Sequence, residues 1–226
     1  MSGSWRSGFG TRRAWERSVD RRVGWLANAR RLGGACVTNG RVEVAALVGS
    51  LRRQSYNRGL LRTAMLLQPE GMRIYEVPID RLPFYDEDVE RQGDPPPVRE
   101  LKTALARADA LLILTPEYNY SISGVLKNAL DWASRPSGRS VVRGMPAAIM
   151  GAAAGRSGTM RAQLHLRQIL LYLGAVALPE PEVYVTFAAD KFNTLGELTD
   201  QTSLDQARQL LRNLHAWTLM LHASRG

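Results

Sequence analysis

Apolar stretches of strand length alternate with helix-like stretches from Val42 to the end of the sequence. This alternation is typical of parallel strands joined by crossover helices, which cover both faces of the sheet. Runs without polar residues, such as 110–114, indicate strands that are buried on both faces. The pattern predicts a three-layer α/β domain with a five-stranded parallel sheet, whose strands are 42–48, 73–77, 110–114, 147–150 and 183–187. A further apolar run, 175–178, leads towards the last strand.

Apolar residues that recur every three or four positions predict five helices. These helices cover about 58–67, 97–108, 125–132, 159–173 and 203–221. The fourth helix carries apolar residues beyond those that would face the core, namely Met160, Leu164 and Leu171. Such a surplus is typical of an interface, so we expect a homodimer or a tetramer built from dimers.

Residues 1–40 differ in composition from the rest of the chain. They contain eight arginines against Glu16 and Asp20, so most of the formal net charge of +9 lies in this segment. The remaining body is nearly balanced, which argues against nucleic acid as its partner. The segment has three interpretations: a disordered tail, a contact with a membrane surface or nucleic acid, or an artefact of a start codon placed too far upstream. It lacks the apolar stretch of a secretory signal, and we expect it to be dispensable.

Several protein classes are excluded by composition. No uncharged run exceeds 12 residues, whereas a membrane-spanning helix needs about 20 apolar residues. The single cysteine, Cys36, excludes an intramolecular disulfide and indicates a reducing cytoplasm. The three histidines are too few and too widely spaced for a zinc site, and we expect a structural hydrogen bond from His165. Acidic residues 86–90 indicate a flexible, solvated loop rather than a cation site, so no metal is expected.

A polar loop follows the first predicted strand. In open α/β sheets the ligand lies outside the carboxyl ends of the strands, where the strand order reverses. For the order 2-1-3-4-5, this crevice lies between the loops after strands one and three. The first loop, residues 49–57, offers the hydroxyls of Ser50 and Ser55, the guanidinium of Arg52, the amide of Asn57 and unpaired helix amides. This set suits a phosphate monoester, although an exposed turn that caps a helix would use the same residue types.

The second loop, residues 116–124, follows the third predicted strand and reads Pro-Glu-Tyr-Asn-Tyr-Ser-Ile-Ser-Gly. Two tyrosines and an asparagine beside backbone amides are able to line a planar heteroaromatic ring and donate hydrogen bonds to its edge. Taken alone, the same loop is also consistent with a capped turn that packs its aromatic groups on the sheet. Because the phosphate-type and ring-type loops meet at one crevice, together they predict flavin mononucleotide (FMN).

The loop motifs resemble a known family. Gly-Ser-x-Arg-x-x-Ser-x-Asn follows the first strand, and Pro-Glu-Tyr-Asn-Tyr-Ser and Leu-Lys-Asn-Ala-x-Asp-Trp follow the third. With residues 161–168, these motifs resemble the NADPH-dependent FMN reductases of the flavodoxin-like fold, and among them the bacterial chromate and quinone reductases. The resemblance spans about 42–221. It implies the strand order 2-1-3-4-5 and divides the chain into a basic extension, 1–40, and a reductase domain, 41–226.

The resemblance also implies a cofactor site. The FMN phosphate would be held by Ser50, Arg52, Ser55 and Asn57. The ribityl chain and the isoalloxazine ring would be bordered by Pro116, Glu117, Tyr118, Asn119, Tyr120 and Ser121. A third loop, residues 151–158, would approach the ring from the far side, and its three consecutive alanines leave only backbone amides for hydrogen bonds. The acidic loop would lie near the flavin of a partner subunit.

The implied activity is a two-electron reduction in which NADPH or NADH reduces FMN and a small oxidant reoxidises it. Quinones are the expected acceptors, with azo compounds, free flavin and chromate as further ones, and no catalytic side chain is required. One alternative is a flavodoxin-like electron carrier without its own NAD(P)H site, although flavodoxins are usually acidic and this body is slightly basic. Another is a flavin-bearing nucleic-acid binder that uses residues 1–40.

Overall fold

The computed structural model describes residues 41–224. Its strands are β1 (Val42–Val48), β2 (Met72–Glu76), β3 (Ala110–Leu114), β4 (Pro146–Ala152), β5 (Val176–Ala177) and β6 (Val183–Val185). Its helices are α1 (Tyr56–Leu67), α2 (Glu87–Arg91), α3 (Pro96–Ala106), α4 (Gly124–Ala133), α5 (Met160–Leu173), α6 (Ala188–Lys191) and α7 (Gln201–Ala223). The predicted basic extension, 1–40, lies outside the described residues.

All strand pairs of the sheet are parallel, and the order is β2-β1-β3-β4-β5. The predicted flavodoxin-like order is therefore confirmed. The fifth position differs from the prediction because two short strands share it. β5 pairs with Pro146 and Ala147 at the start of β4, and β6 pairs with residues 150–152 at its end. Pro179 and Pro181 lie between them, and proline has no N–H to continue a hydrogen-bonded ladder.

Alternate residues of β1 face two separate cores, one on each side of the sheet. Val44, Ala46 and Val48 pack with α1 and α7, and Ala45 and Leu47 pack with α3, α4 and α5. Side chains of a strand alternate between its two faces, so a strand that is apolar throughout requires a helical layer on both sides. This arrangement is the predicted three-layer sandwich, and it leaves the carboxyl ends of the strands as the uncovered edge.

Residues 41–224 contain seven helices rather than the five predicted. The two additional helices, α2 and α6, have five and four residues, which is too short for a recognisable apolar period. The last strand also ends earlier than predicted, at Val185 instead of Phe187. Phe187 has a φ of 47°, which lies in the left-handed region and cannot continue a strand.

The acidic segment, residues 80–95, includes residues 86–90, which the sequence predicted in a flexible, solvated loop. They lie mostly exposed to solvent, in and just before the short helix α2. Asn128 on α4 accepts a hydrogen bond from the Tyr85 amide and donates one to the Pro83 carbonyl, each at 2.8 Å. The indole Nε1 of Trp132 donates to the same carbonyl at 2.8 Å, and the Tyr85 ring meets the Trp132 ring edge-on. Two side chains of the Leu-Lys-Asn-Ala-x-Asp-Trp motif therefore anchor this segment to α4.

The described residues were also searched for a membrane-spanning helix and for a metal-binding cluster. No helix in the described part of the chain combines the length and the apolarity that crossing a membrane requires. Across residues 41–224, His, Cys, Asp and Glu side chains form no group of three or more that could hold a metal ion.

The start of α7 depends on Asp200, the N-cap residue. Its Oδ2 accepts hydrogen bonds from the Ser203 amide at 2.9 Å and from the Ser203 hydroxyl at 2.6 Å. These hydrogen bonds from Ser203, helped by nearby Lys191, hold the pKa of Asp200 below its ordinary value. A carboxyl whose pKa is lower in the folded state adds stability above its unfolded pKa, and the gain disappears as the pH falls through the folded pKa.

We expect Asp200→Ala to lower the free energy of unfolding by about 1 kcal/mol at pH 7, because the helix loses its N-cap. Urea unfolding should show this difference shrinking as the pH falls below about 4, where the carboxyl of the unfolded wild type takes up its proton before that of the folded state. The control is Asp205→Ala on the exposed face of the same helix, with an expected change below about 0.5 kcal/mol. Equal losses for the two variants, or a difference that does not shrink at any acidic pH at which the protein stays folded, would contradict the assignment.

Candidate functional site

Three loops leave the sheet at one edge, after β1, β3 and β4. The Gly49 amide donates to the Leu114 carbonyl at 2.8 Å, and the Thr115 amide donates to the Met150 carbonyl at 3.0 Å. These hydrogen bonds join each strand end to its neighbour, so the first, second and third loops start side by side. The structure thus brings the predicted loops together at the predicted crevice.

Two glycines allow the loops to approach each other closely. A Cβ on Gly49 would lie 2.9 Å from the Cδ of Pro116 in the second loop. A Cβ on Gly151 would lie 2.2 Å from the Oγ1 of Thr159 and 2.4 Å from the Thr115 carbonyl oxygen. Real Cβ atoms do not tolerate such distances, so only glycine lets the backbones pass at these points.

The first loop has the features of an anion site. The backbone amides of residues 50–54 make no hydrogen bond to any described residue. The side chain of Ser55 caps α1 by accepting from the Asn57 amide at 3.2 Å, and the first turn of α1 has no acidic residue. Ser50 is 3% exposed, and its hydroxyl makes no hydrogen bond among the described residues. Unpaired amides and hydroxyls at a helix N-terminus favour a negatively charged ligand.

Arg52 and Asn57 occupy different environments in the first loop. Arg52 is exposed, and its Cζ lies 5.4 Å from the centroid of the Tyr56 ring. Asn57 is 2% exposed and spans to the third loop: its Nδ2 donates to the Ala152 carbonyl and its Oδ1 accepts from the Ala152 amide, both at 3.0 Å. Both polar atoms of this side chain are thus already paired. The Asn57 side chain therefore joins the first loop to the third, and its expected contact with the phosphate stays a prediction.

The second loop contains a tight two-residue turn. The Tyr118 amide donates to the Ser121 carbonyl at 2.9 Å, and the Ser121 amide donates back to Tyr118 at 3.0 Å. The central residues Asn119 and Tyr120 have φ values of 49° and 70°. Asparagine tolerates this left-handed conformation, but for tyrosine it costs roughly 1–2 kcal/mol. The turn therefore needs support from its surroundings, and it presents both tyrosine rings more than half exposed.

Glu117 and Ser121 connect this turn to α5. The Glu117 side chain is 6% exposed, and its Oε2 accepts from the amides of Arg161 and Ala162 at 2.9 and 3.1 Å. The Ser121 hydroxyl lies 3.1 Å from Nδ1 of His165, so His165 makes the expected side-chain hydrogen bond. The Glu117 carboxylate therefore bonds to the start of α5, and the expectation that Glu117 borders the ring stays a prediction.

The third loop has few free amides. The Ala152 amide bonds to Asn57, and the Ala153 amide donates to the Val185 carbonyl at 3.1 Å. The amides of residues 154–157 make no hydrogen bond to described residues. These four amides are therefore the backbone donors that the third loop has left for the ring. Beside the loop, burial raises the pKa of Tyr184 to about 12, with a smaller contribution from the Glu182 carboxylate. The Tyr184 hydroxyl is therefore neutral at physiological pH.

Sequence reasoning missed Arg161 as a member of the site. Its Nε donates to Oε1 of Glu117 at 2.6 Å, and its Cζ lies 3.8 Å from the centroid of the Tyr120 ring. One signal was available: Glu117 is the only charged residue of its loop, and a buried carboxylate requires a partner. The roles of Asn128 and Trp132 were missed as well, because the sequence does not show which loop lies against α4.

The residues present fit FMN. The first loop supplies unpaired amides, two hydroxyls and a guanidinium, which match the donors that a phosphate monoester accepts from. The second loop supplies tyrosine rings and the third supplies free amides, which match the faces and the polar edge of a planar ring. The two kinds of surface lie on neighbouring strand ends, as the two ends of one ligand require.

Comparison with known proteins leads to the same family. A model described as NADPH-dependent FMN reductase matches residues 42–190. An NAD(P)H-dependent FMN reductase of Pseudomonas aeruginosa is 47% identical over 180 residues, which cover 80% of this chain and 97% of that protein. A 2-hydroxy-1,4-benzoquinone reductase of a Burkholderia species is 40% identical and covers 78% of this chain and 96% of that protein.

A solved structure extends the likeness to three dimensions. The flavoenzyme NAD(P)H:(acceptor) oxidoreductase of Paracoccus denitrificans has a TM-score of 0.73 and 34% sequence identity with this chain. The match covers 79% of this chain and 98% of that one. Sequence motifs, loop geometry and these relatives agree, and the chain therefore belongs to the NADPH-dependent FMN reductase family.

Proposed function

We propose that this protein is an FMN-dependent NAD(P)H oxidoreductase that transfers two electrons to quinones. One observation carries the proposal: five backbone amides of the first loop, which have no partner among residues 41–224, lie beside a tyrosine-bearing second loop at one edge of the sheet. The relatives support the same activity, since the Pseudomonas aeruginosa protein is named as an FMN reductase and the Burkholderia protein as a quinone reductase.

In this proposal the first loop holds the phosphate through the hydroxyls of Ser50 and Ser55, the Arg52 guanidinium and the free amides of residues 50–54. The ribityl chain and the ring are bordered by Pro116, Tyr118, Asn119, Tyr120 and Ser121. Asn57 and Glu117 belong to the same two sets of residues, and their side chains also keep the loops in register. When bound, FMN supplies the redox chemistry, accepting a hydride from NADPH or NADH and passing two electrons to the acceptor.

The exposed tyrosines leave the crevice open to flat molecules. Tyr118 is 52% exposed and Tyr120 is 64% exposed, so both rings remain accessible from solvent. The nicotinamide and the quinone would therefore use the same place in turn rather than together. Azo compounds, free flavin and chromate are further acceptors that such an opening admits. The slightly basic body favours NADPH as donor, and the single cysteine supports a reducing cytoplasmic setting.

The proposal is tested by purification and initial-rate kinetics. We expect a yellow protein that carries FMN and oxidises NADPH with 1,4-benzoquinone, giving parallel double-reciprocal lines because donor and acceptor alternate in one place. A protein that takes up no FMN would overturn the proposal. A protein that binds FMN but does not oxidise NADPH or NADH would instead be the electron carrier considered above.

Arg52→Ala is expected to weaken FMN binding by roughly 1.5–3 kcal/mol, the value of a charge-assisted hydrogen bond. This corresponds to about a ten- to hundredfold increase in Kd. Riboflavin, which lacks the phosphate, should bind equally well to the wild type and the variant. The control is Arg53→Ala, which removes the neighbouring exposed arginine outside the motif. Fluorescence titration of the three flavin-free proteins measures all six affinities, and an equal loss for FMN and riboflavin in Arg52→Ala would contradict the assignment.

We also propose that the protein forms a homodimer, or a tetramer built from dimers. Met160, Leu164 and Leu171 on α5 are 46, 51 and 79% exposed, as expected from the sequence. Phe84 in the anchored acidic segment is 83% exposed, and its position is held by the hydrogen bonds to Pro83 and Tyr85. A second copy is the natural cover for such apolar groups.

Light scattering at micromolar concentration should give at least twice the mass of one chain. The double variant Leu164→Glu with Leu171→Glu should shift the mass towards that of one chain, because two charges would be buried without partners. Leu66→Glu on α1 is the control, since Leu66 is 85% exposed on a different helix. A wild type with the mass of one chain would contradict this proposal.

A further inference from the structure

Glu117 is an unusual residue for its position. It lies in a loop without other charges, yet its side chain is 6% exposed. All of its hydrogen-bond donors belong to the first turn of α5: the amides of Arg161 and Ala162 bind Oε2, and Nε of Arg161 binds Oε1. A buried carboxylate is retained only when it is fully paired, so this set of contacts is a specific arrangement and not a surface ion pair.

Arg161 transmits this arrangement to the turn. Nε, at one edge of the Arg161 guanidinium, donates a hydrogen bond to Glu117. The Cζ of the same guanidinium lies 3.8 Å from the centroid of the Tyr120 ring. A guanidinium stacks favourably on an aromatic face in this way. Within residues 41–224, Glu117 is the only ion-pair partner of Arg161. Without the carboxylate, the Arg161 side chain would regain its rotamer freedom and leave the ring.

Tyr120 needs such a partner. Its φ of 70° is unfavourable for a residue with a bulky side chain, and its ring is more than half exposed to solvent. The turn is closed by the two backbone hydrogen bonds between Tyr118 and Ser121, which do not restrain the Tyr120 side chain. The contact with Arg161 is the one ring contact that the structure gives Tyr120 within the described residues.

We propose that Glu117 is a positioning residue for the flavin: by holding Arg161 against the Tyr120 ring, it fixes the Tyr118–Ser121 turn in the conformation that contacts the isoalloxazine. This inference rests on the proposed function. It assigns Glu117 a role through Arg161 and Tyr120, without contact between its carboxylate and the ligand. The charge of the side chain is the essential property, because the amide of glutamine fills the same space but does not hold a guanidinium as an ion pair.

The test compares FMN with riboflavin on the full-length chain freed of bound flavin. Riboflavin has the same ring and ribityl chain but no phosphate. Glu117→Gln should weaken both ligands by the same factor, about tenfold, because only ring placement is lost. Arg52→Ala, in contrast, should weaken FMN alone. The matched control is Asp205→Asn, which removes the charge of an exposed ion pair on α7 and should leave both affinities unchanged.

A double-mutant cycle tests the route through Tyr120. If Glu117 acts through the ring, Tyr120→Ala and the double variant Glu117→Gln with Tyr120→Ala should bind riboflavin about equally. Losses that multiply would mean that the two residues act independently. The second readout is the absorption spectrum of bound flavin, which should shift in Glu117→Gln and stay unchanged in Asp205→Asn. If Glu117→Gln does not fold, Arg161→Lys replaces it, because lysine keeps the positive charge but cannot stack a planar guanidinium on the Tyr120 ring. This variant should also lose the same factor in affinity for FMN and for riboflavin.

The outcomes separate this inference from the proposed function. A wild type that binds neither flavin nor NADPH would overturn the proposed function. The positioning role alone would be overturned by a different result. In that case the wild type binds FMN and oxidises NADPH, and the Kd values of Glu117→Gln and Arg161→Lys for both flavins lie within twofold of the wild-type values.

Discussion

Replacing Asn57 with alanine is expected to lower the free energy of unfolding by about 2–4 kcal/mol. The Asn57 side chain satisfies both the amide and the carbonyl of Ala152 at 3.0 Å, in a place where Asn57 is 2% and Ala152 is 3% exposed. Its removal leaves two buried backbone groups without partners, and each such group costs roughly 1–3 kcal/mol. Urea unfolding of the flavin-free protein measures the loss directly.

Asn213→Ala is the matched control for this prediction. The Asn213 side chain accepts a hydrogen bond from Nε2 of Gln209 at 2.7 Å and donates a long one, 3.4 Å, to the Glu180 carbonyl, and both bonds are exposed to solvent. The expected change in unfolding free energy is below about 0.5 kcal/mol. Asn57→Ala should also weaken FMN and riboflavin alike, because the first and third loops are no longer joined. A stability loss no larger than that of Asn213→Ala would show that the Ala152 groups find other partners.

Among substitutions that add one methyl group at the site, we expect Gly151→Ala to lower the free energy of unfolding most. The new Cβ would lie 2.2 Å from the Thr159 Oγ1 and 2.4 Å from the Thr115 carbonyl oxygen. The hydroxyl can rotate away, but the carbonyl belongs to the backbone where β3 ends, so β3 and β4 must separate. We expect a loss of about 3 kcal/mol or more in unfolding free energy, at the upper end of overpacking effects.

Gly155→Ala provides the comparison within the same loop. A Cβ at Gly155 would have no atom within 4 Å, and its φ is not in the left-handed region. Gly151→Ala and Gly155→Ala add the same methyl group and differ only in what surrounds it. We therefore expect Gly155→Ala to change the free energy of unfolding by less than about 0.5 kcal/mol. Thermal and urea unfolding of both variants test the prediction. Similar stabilities for the two alanine variants would mean that the strand ends are less tightly packed than the distances indicate.

These predictions share one physical basis. The ligand-facing groups lie on loops, and the loops are held by a few side chains that reach from one to the next or to a helix. Asn57 joins the first loop to the third, Glu117 joins the second to α5, and Gly49 and Gly151 permit the close approach between strand ends. A flat ring requires a narrow space of constant shape, and such connections keep the donors in place before the ligand arrives.

The amino-acid sequence by itself determined the layers, the strand order and the place of the site. Apolar runs such as 110–114 identify strands buried on both faces, because burial on both sides leaves no position for a polar residue. The helical periods of α3 and α5 are equally local, and the capping role of Ser55 follows from its position at the start of α1. The resemblance of the two loop motifs then predicted the strand order and the family, and both are confirmed.

Only the tertiary structure decided which residues meet. The sequence predicted Asn57 and Glu117 at the ligand but not the bonds of their side chains to Ala152 and Arg161, which are 95 and 44 positions away along the chain. The sequence also did not show that Asn128 and Trp132 hold Tyr85 and Pro83, at the start of the acidic segment, from more than 40 positions away. Residue type predicts that a polar side chain needs a partner; which partner it finds depends on how the loops and helices pack, and a local pattern does not contain that information.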